Sequence, residues 1–408
     1  MEGSMGGIYK LKGVIRNYDW GGTVFLSELL SNPNPQQLPM AEYWLGAHDA
    51  DPSILFAGEK EIKLNNFVLS DAENILGKTV AKKFGRLPYL LKLLDVKHML
   101  SIQVHPAKHE AEIEFARENK AGIPLSAPHR NYKDDNHKPE LIVALSEFWL
   151  LHGFKPVEKL RTTLKSVPEL QPLLEIFDST GYDQLYKTAM EMPQESVNEI
   201  LQPLLDRIVS GYEKDQLPKD QEHFWAARAA ITFNDHSKID RGIFSIYFFN
   251  LLNLETGQAM FQDSGLPHAY LEGQNVEIMA NSDNVLRGGL TNKYVDVKEL
   301  MKHIKFEQTI PEVIDATTRD HEEVYKTAAP DFRLSRFRLK KTDVTTFESV
   351  TGETLLLLKG SVSVSGGNNQ LELKRGESAF ITSHQHISVK CMADAEIYRA
   401  SVPVHNSE

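Results

Sequence analysis

The chain changes texture twice, and this limits its possible folds more than any other feature. From Val157 to about Phe233 it reads as helices, with candidates at Val157 to Val167, Leu170 to Phe177, Tyr182 to Met190, Val197 to Tyr212 and His223 to Phe233. Ile200, Leu201, Leu204, Leu205 and Ile208 recur at three- and four-residue intervals, the spacing of one buried helix stripe. Pro168, Pro172, Pro193, Pro203 and Pro218 punctuate the block, and Pro203 is expected to kink or delay its helix because it has no N–H to donate. Nothing in the block suggests chemistry, so it reads as a helical insertion or lid.

On both sides the chain breaks into short apolar runs, several of them separated by Pro, Asn, Asp and Gly clusters, as strands and turns do. Before the block these are Ser53 to Phe56, Leu90 to Leu94, Ser101 to Val104 and Glu140 to Leu145, with a helical stretch at Asp71 to Phe84. After it, Ile243 to Leu254 is nearly continuously apolar and reads as a buried strand. Short β elements run on to about Asn292, and Val297 to His303 looks helical. From Thr354 the texture is β again. Thr354 to Leu358 and Ser361 to Val364 flank a Lys359-Gly360 turn, and Gly366-Gly367-Asn368-Asn369 forms a second turn. Leu371 to Leu373, Ser378 to Ile381 and Ile387 to Lys390 complete a small jelly roll or β-sandwich. The expected class is mainly β with an α insertion.

At 408 residues there is room for two or three domains with large cores. A formal net charge of -11 argues against a general nucleic-acid or anionic-membrane surface, yet leaves room for a small basic pocket. Cys391 is the only cysteine, so no intrachain disulfide forms; it reads as strand packing. No apolar run reaches the roughly 18 residues of a membrane helix. The start, MEGSMGGIYKL, lacks the marks of a signal or transit peptide. The expectation is a cytoplasmic protein with no nucleic-acid or membrane partner.

Four places concentrate side chains able to bind a metal. Gln103 and His105 stand at i and i+2, which in a strand share a face. Glu140 ends the run Asp134-Asp135-Asn136-His137-Lys138-Pro139-Glu140 and opens an apolar strand that would anchor its carboxylate. A Gly265-Leu266-Pro267 turn presents His268, and Asn281-Ser282-Asp283-Asn284 leads to Arg287. Two histidines, a carboxylate and an amide oxygen without cysteine suit a catalytic first-row metal such as zinc. Spacing alone leaves a structural reading open, because His48, His98, His109, His129, His152, His384 and His386 show that histidine is plentiful. His384 and His386 also alternate in a strand-like run, but without carboxylates nearby. Lys92 is a charge inside the apolar run Tyr89 to Leu94, which is costly unless it finds a partner.

Longer strings narrow the choice. Tyr132-Lys133-Asp134-Asp135-Asn136-His137-Lys138-Pro139-Glu140 resembles the YxDxNHKPE signature of type I phosphomannose isomerases. His268 to Gly273 and Glu277 to Lys293 resemble the family's second signature, and Ser101 to Pro106 its metal strand. Tyr18-Asp19-Trp20-Gly21 and Ala41-Glu42-Tyr43-Trp44-Leu45-Gly46 match its opening motifs. Two positions depart from the pattern: Gly288 where alanine is common, and Asn292 where proline is common. Added backbone freedom there could alter turnover.

The resemblance implies cupin-like jelly rolls. A metal-bearing cupin domain would span residues 1–155 plus 241–320, a helical domain 156–240 would be inserted, and a metal-free cupin-like β domain would cover 321–408. It implies one zinc ion per chain on Gln103, His105, Glu140 and His268, an active-site Arg287, and pocket residues Trp20, Glu42, Lys92, Ser101, Lys138, Tyr270 and Lys293. A monomer is the expected state. The implied reaction is the reversible isomerisation of D-mannose 6-phosphate and D-fructose 6-phosphate, feeding GDP-mannose synthesis and mannose catabolism.

A proton would move between C1 and C2 through an enediol, with negative charge on oxygen stabilised by the metal and by Arg287 or Lys138. Arginine suits this electrostatic role better than a base role. His137, Lys138 and Glu277 are the candidate bases; Glu277 could instead orient His268, and His137 could be structural. The phosphate needs cationic and hydroxyl donors, for which Lys92, Ser101 and Lys293 are candidates. Trp20 and Tyr270 could wall the sugar ring. One rival is another metal cupin, such as an iron dioxygenase, against which Gln103 and the long signatures argue. Another is a catalytically impaired sugar-phosphate-binding paralogue, hinted at only by Gly288 and Asn292.

Overall fold

Period-two alternation decides where the polar residues go. In a computed structural model, which describes residues 6–235, 237–367 and 369–404, the strand Tyr89–Val96 is buried along its whole length. Its two faces nevertheless meet different cores. Leu91 and Leu93 pack with Tyr43, Leu45, Leu141, Val143, Val276 and Ile278, and with Leu356, Phe380 and Tyr398 from the C-terminal β region. Leu94 and Val96 pack instead with Ile142, Ala144, Phe148, Leu150, Met260 and Tyr270. Neighbours in a strand point to opposite faces, so Lys92 faces this second, inner core.

Two antiparallel layers enclose that inner core. One holds Val14–Arg16, Glu42–Gly46, Tyr89–Val96, the C-terminal half of His268–Ala280, Glu140–Ala144 and Ala259–Gln262. The other holds Phe249–Leu254, Phe148–Phe154, the N-terminal half of His268–Ala280, Gln103–Val104 and Leu286–Arg287. His268–Ala280 belongs to both. It turns the corner at a register shift between Tyr270 and Glu272 and at Gly273, where φ is +125° and a Cβ would lie 2.5 Å from Glu147 O. Bulges of this kind let a strand pass from one sheet of a sandwich to the other, and only glycine fits the corner.

The helical block covers the outside of the second layer. Val104, Trp149, Leu151, Ala269, Leu271 and Leu286 share one core with Leu160, Phe177, Leu185, Tyr186, Leu201 and Trp225. Its main helices are Val157–Ser166, Gln171–Glu191, Gln194–Glu213 and Glu222–Phe233. Leu170 to Phe177 and Tyr182 to Met190, expected as two helices, are the two arms of Gln171–Glu191, separated by Gly181, whose backbone angles (φ 78°, ψ -163°) are not helical. Pro203 lies inside Gln194–Glu213 without ending it.

Several expectations need correcting. Ile243 to Leu254 is not one strand: Gly242–Phe248 is a helix and only Phe249–Leu254 is a strand. A run that is apolar throughout carries no period to separate buried helix from buried strand, and this helix is wrapped on all sides by the helical core. Thr354 to Val364 is a single strand, Glu353–Gly366. Lys359-Gly360 is a bulge in its pairing with Gln385–Ser401, not a turn. The second turn joins Glu353–Gly366 to Asn369–Lys374, with Asn368 outside the described residues. Asp71 to Phe84 is two short helices, Ala72–Leu76 and Lys78–Phe84, separated by Gly77. His384 sits in a turn at φ +60°, and His386 does have a carboxylate: its Nδ1 is 2.6 Å from Glu348 Oε1 on the paired strand Val344–Ser349.

Sheet membership crosses the expected domain limits. Ile8–Lys12, Ile54–Ala57 and Lys60–Lys63 belong to the C-terminal sheet, where Ile8 pairs with Ile381. Local pattern marks these residues as strands but cannot say which sheet edge receives them. At the other end, Thr317–Arg319 already pairs within that sheet. Cys391 is buried, with Sγ 3.1 Å from Ala393 O. Among the described residues no helix is long and apolar enough to cross a membrane.

Candidate metal centre and active site

Strand register lines up the polar residues inside the sandwich. Across the second layer Asn250, His152, His268, Gln103 and Arg287 pair in one row, so their side chains share the inner face. From the first layer Lys92 pairs with both Trp44 and Glu277, and Glu140 pairs with Met279 and Gln262. His105 follows Gln103–Val104 directly. The layers thus bring residues far apart in sequence into one buried space.

At its centre His105, Glu140 and His268 are all buried, with candidate ligand atoms within 4.8 Å of one another. His105 Nε2 lies 3.4 Å from Glu140 Oε1, and His268 Nε2 lies 3.3 Å from Glu140 Oε2. The other ring nitrogens face backbone carbonyls: His105 Nδ1 is 2.7 Å from Asn284 O and His268 Nδ1 is 3.0 Å from Leu266 O. A carbonyl only accepts, so each Nδ1 carries the proton and each Nε2 turns a lone pair to the centre. Burial, reinforced by the Lys138 ammonium, pushes the His105 pKa down to about 4, which keeps the ring neutral. Burial alone would raise the Glu140 carboxyl, but Lys138 and the imidazoles outweigh it and hold it well below the usual range. His105 Nε2 is buried with no hydrogen-bond partner. An orphaned imidazole nitrogen, a second one aimed at the same point and an ionised carboxylate form a donor set that fits zinc.

The other expected residues divide between the site and its frame. Gln103 is half-buried and set by register between His268 and Arg287. Lys138 Nζ is 2.9 Å from Glu140 Oε1. Lys92 Nζ is 3.0 Å from Glu277 Oε1 and 5.2 Å from the centre of the Trp44 ring. Burial works against the Lys92 charge, but Glu277, then Glu42 and Glu140, raise its pKa above the ordinary value. Burial raises the Glu277 carboxyl, with Lys92 opposing. Glu277 therefore does not orient His268, a task that falls to Leu266 O. Lys92, expected as a phosphate candidate, is thus paired with Glu277.

His137 turns away from the cluster, its Nε2 2.8 Å from Asp331 Oδ2 of the C-terminal region. Tyr270, expected beside the sugar ring, lies next to Glu140. It is buried, and its hydroxyl donates to Glu140 Oε2 at 3.0 Å from beneath the cluster. Glu42 is buried and accepts from Trp44 Nε1. Trp20 is half-buried and stacks on Tyr18 at 5.8 Å. Ser101 and Arg287 are half-buried and Lys293 is exposed. Partial desolvation on its inner side, although the residue as a whole is exposed, and then the nearby Arg287 charge lower the Lys293 pKa. Two cations that repel each other in this way would be relieved by an anion. Nothing in the structure explains asparagine at 292.

Sequence reasoning missed the role of Asn284. Its side chain accepts from Lys133 N at 2.7 Å and donates to Asp134 O at 2.8 Å and Asn136 O at 2.9 Å. It pins the two signature strings together while its own carbonyl holds His105. His152 and Gln262 were also missed. They pair at 2.8 Å inside the sandwich, in register with His268 and Glu140. The period-two pattern of Phe148–Phe154 was the only available signal for His152.

Comparison with known proteins agrees with this geometry. A family profile described as phosphomannose isomerase type I, catalytic domain, matches residues 8–157. Mannose-6-phosphate isomerase of Escherichia coli (strain K12) is 37% identical over 383 residues, covering 92% of this chain and 95% of the relative. Its namesake from Macaca fascicularis is 31% identical over 432 residues, covering 96% and 98%. Among solved structures, mannose 6-phosphate isomerase from Salmonella typhimurium bound to substrate and zinc matches with a TM-score of 0.87 at 33% identity, covering 98% of this chain and 100% of that one.

Proposed function

The chain belongs to the type I phosphomannose isomerases, and from that premise we propose that it interconverts D-mannose 6-phosphate and D-fructose 6-phosphate with one zinc ion. His105, Glu140 and His268 would hold the metal, with Gln103 as fourth ligand. A zinc ion held there would supply Lewis-acid polarisation of a sugar oxygen, which eases loss of the neighbouring carbon-bound proton.

The remaining work falls to the chain's own side chains. Glu277 is the base we favour of the three considered. It is buried on the inner face, burial raises its carboxyl, and the Lys92 ammonium at 3.0 Å holds it in place. His137 faces Asp331 of the C-terminal region, and Lys138, a cation, lies against the proposed ligand Glu140. Arg287 would stabilise negative charge on the enediol oxygens. Ser101 and Lys293 remain for the phosphate, and Trp20 and Glu42 for the sugar. Tyr270 and Lys138 hold the Glu140 carboxylate in place.

The observation that carries this reading is the buried, partnerless His105 Nε2 facing Glu140 and His268. A coupled assay of fructose 6-phosphate formation from mannose 6-phosphate tests it. Turnover by the purified, zinc-loaded protein is the expected result. Binding of the sugar phosphate without turnover would refute the enzymatic reading and leave a sugar-phosphate-binding paralogue.

A further inference from the structure

We infer that Asp240, where the chain leaves the helical insertion, is a positioning residue for Arg287, so that the insertion sets the geometry of the active site. The inference rests on the isomerase reading above. Arg287 is half-buried, and among the described residues no hydrogen bond or ion pair holds its guanidinium. With no polar partner to hold the guanidinium, the placement of its backbone decides what the side chain can reach. On one side that backbone is tied to the strand carrying Gln103: Gly288 N donates to Ile102 O at 2.9 Å, and Ile102 N donates to Gly289 O at 3.1 Å.

On the other side it is tied to Asp240. Oδ1 accepts from Leu290 N at 2.8 Å and from Gly242 N at 2.7 Å, and Oδ2 accepts from Thr291 N at 3.2 Å. One carboxylate thus gathers amides from the insertion's exit and from the loop behind Arg287. Asp240 N in turn donates to Asn234 Oδ1 at 3.0 Å, at the end of the helix Glu222–Phe233. Leu290 has φ +53°, a conformation that bulky residues avoid and that must be held from outside.

Close packing completes the clamp. A Cβ on Gly289 would lie 2.6 Å from Gly242 Cα, so no side chain fits between loop and insertion. A Cβ on Gly288 would lie 2.8 Å from the hydroxyl of Tyr186, on the insertion helix Gln171–Glu191, and 2.9 Å from Ile102 Cγ2. Glycine at 288 makes room for that tyrosine, which gives the departure from the usual alanine a physical reason.

The test is a double-mutant cycle of Asp240→Ala and Arg287→Ala, read as kcat, KM and zinc content. Asp240→Ala is expected to lower kcat by about 10- to 100-fold, the cost of misplacing a catalytic group by roughly an ångström, with zinc content unchanged. In the double variant it should add little to the Arg287→Ala loss, because the two act as a unit. Asp240→Asn keeps one acceptor oxygen and should recover part of the loss; it replaces Asp240→Ala in the cycle if the alanine variant does not fold. Exchange of the Leu290 and Thr291 amides reads the clamp without turnover, and should speed up at least tenfold in the variant. Losses that multiply in the double variant, or amide exchange unchanged from the parent, would overturn the inference. Absence of turnover in the parent would instead count against the isomerase reading.

Discussion

Replacing Lys92 by methionine separates what the fold needs from what the chemistry needs. Side-chain exposure is 7% for Lys92 and 3% for Glu277, and their charged atoms are 3.0 Å apart. With an effective dielectric of about 20 the attraction at that distance is about 5 kcal/mol, of which desolvation of the two groups removes several. The intact pair therefore contributes little net stability. Removing Lys92 alone leaves a buried carboxylate uncompensated, and Lys92→Met should cost about 3–5 kcal/mol in urea unfolding. Removing both charges as Lys92→Met with Glu277→Leu should recover most of that loss, the remainder being the pull that Lys92 also exerts on Glu42 and Glu140. Isomerase activity should be lost in the single and the double variant alike. A single variant destabilised by less than about 1 kcal/mol, or a double variant that still turns over, would refute the reasoning.

Three further outcomes are expected. Burial, against the pull of Glu222, holds Lys155 down to about 8; the folded protein sheds this proton before the unfolded chain does. Stability relative to Lys155→Met should thus be flat below pH 8 and rise by about 3 kcal/mol toward pH 10.5, and a pH-independent difference in unfolding free energy would contradict this. Gly288→Ala should cost about 1–3 kcal/mol by overpacking against the Tyr186 hydroxyl, and Tyr186→Phe should relieve much of it in thermal denaturation. Tyr270→Phe removes the hydrogen bond to Glu140 Oε2, so zinc affinity in a chelator titration should fall about 10- to 100-fold; unchanged affinity would show that the phenol does not position the ligand.

Much of the fold was legible because it is written in local period. A lone charge inside the apolar run Tyr89 to Leu94 required a partner, and the structure supplies Glu277. The i, i+2 spacing of Gln103 and His105 works in the same way. The helical block was legible from its three- and four-residue spacing. Legibility failed where the deciding contact is remote. Glu277 lies 185 residues from Lys92 and Asp331 lies 194 residues from His137, and no local pattern names either partner. Ile8–Lys12 reads as a strand, but its pairing with Ser378–Ile381 closes across almost the whole chain. Ile243 to Leu254 failed for another reason, since burial on every side erases the period that marks a helix. Asp240 is an ordinary turn residue in sequence; only the folded loop shows that it holds Leu290 and Thr291.

The most direct measurement is turnover of mannose 6-phosphate against zinc content, with the purified protein stripped by chelator and then titrated with zinc. Activity should vanish on stripping and return in proportion to zinc, saturating at about one ion per chain, with Glu140→Gln unable to recover. Full activity in the stripped protein, or recovery by Glu140→Gln at the same zinc level, would contradict the assignment of His105, Glu140 and His268 as the seat of the reaction.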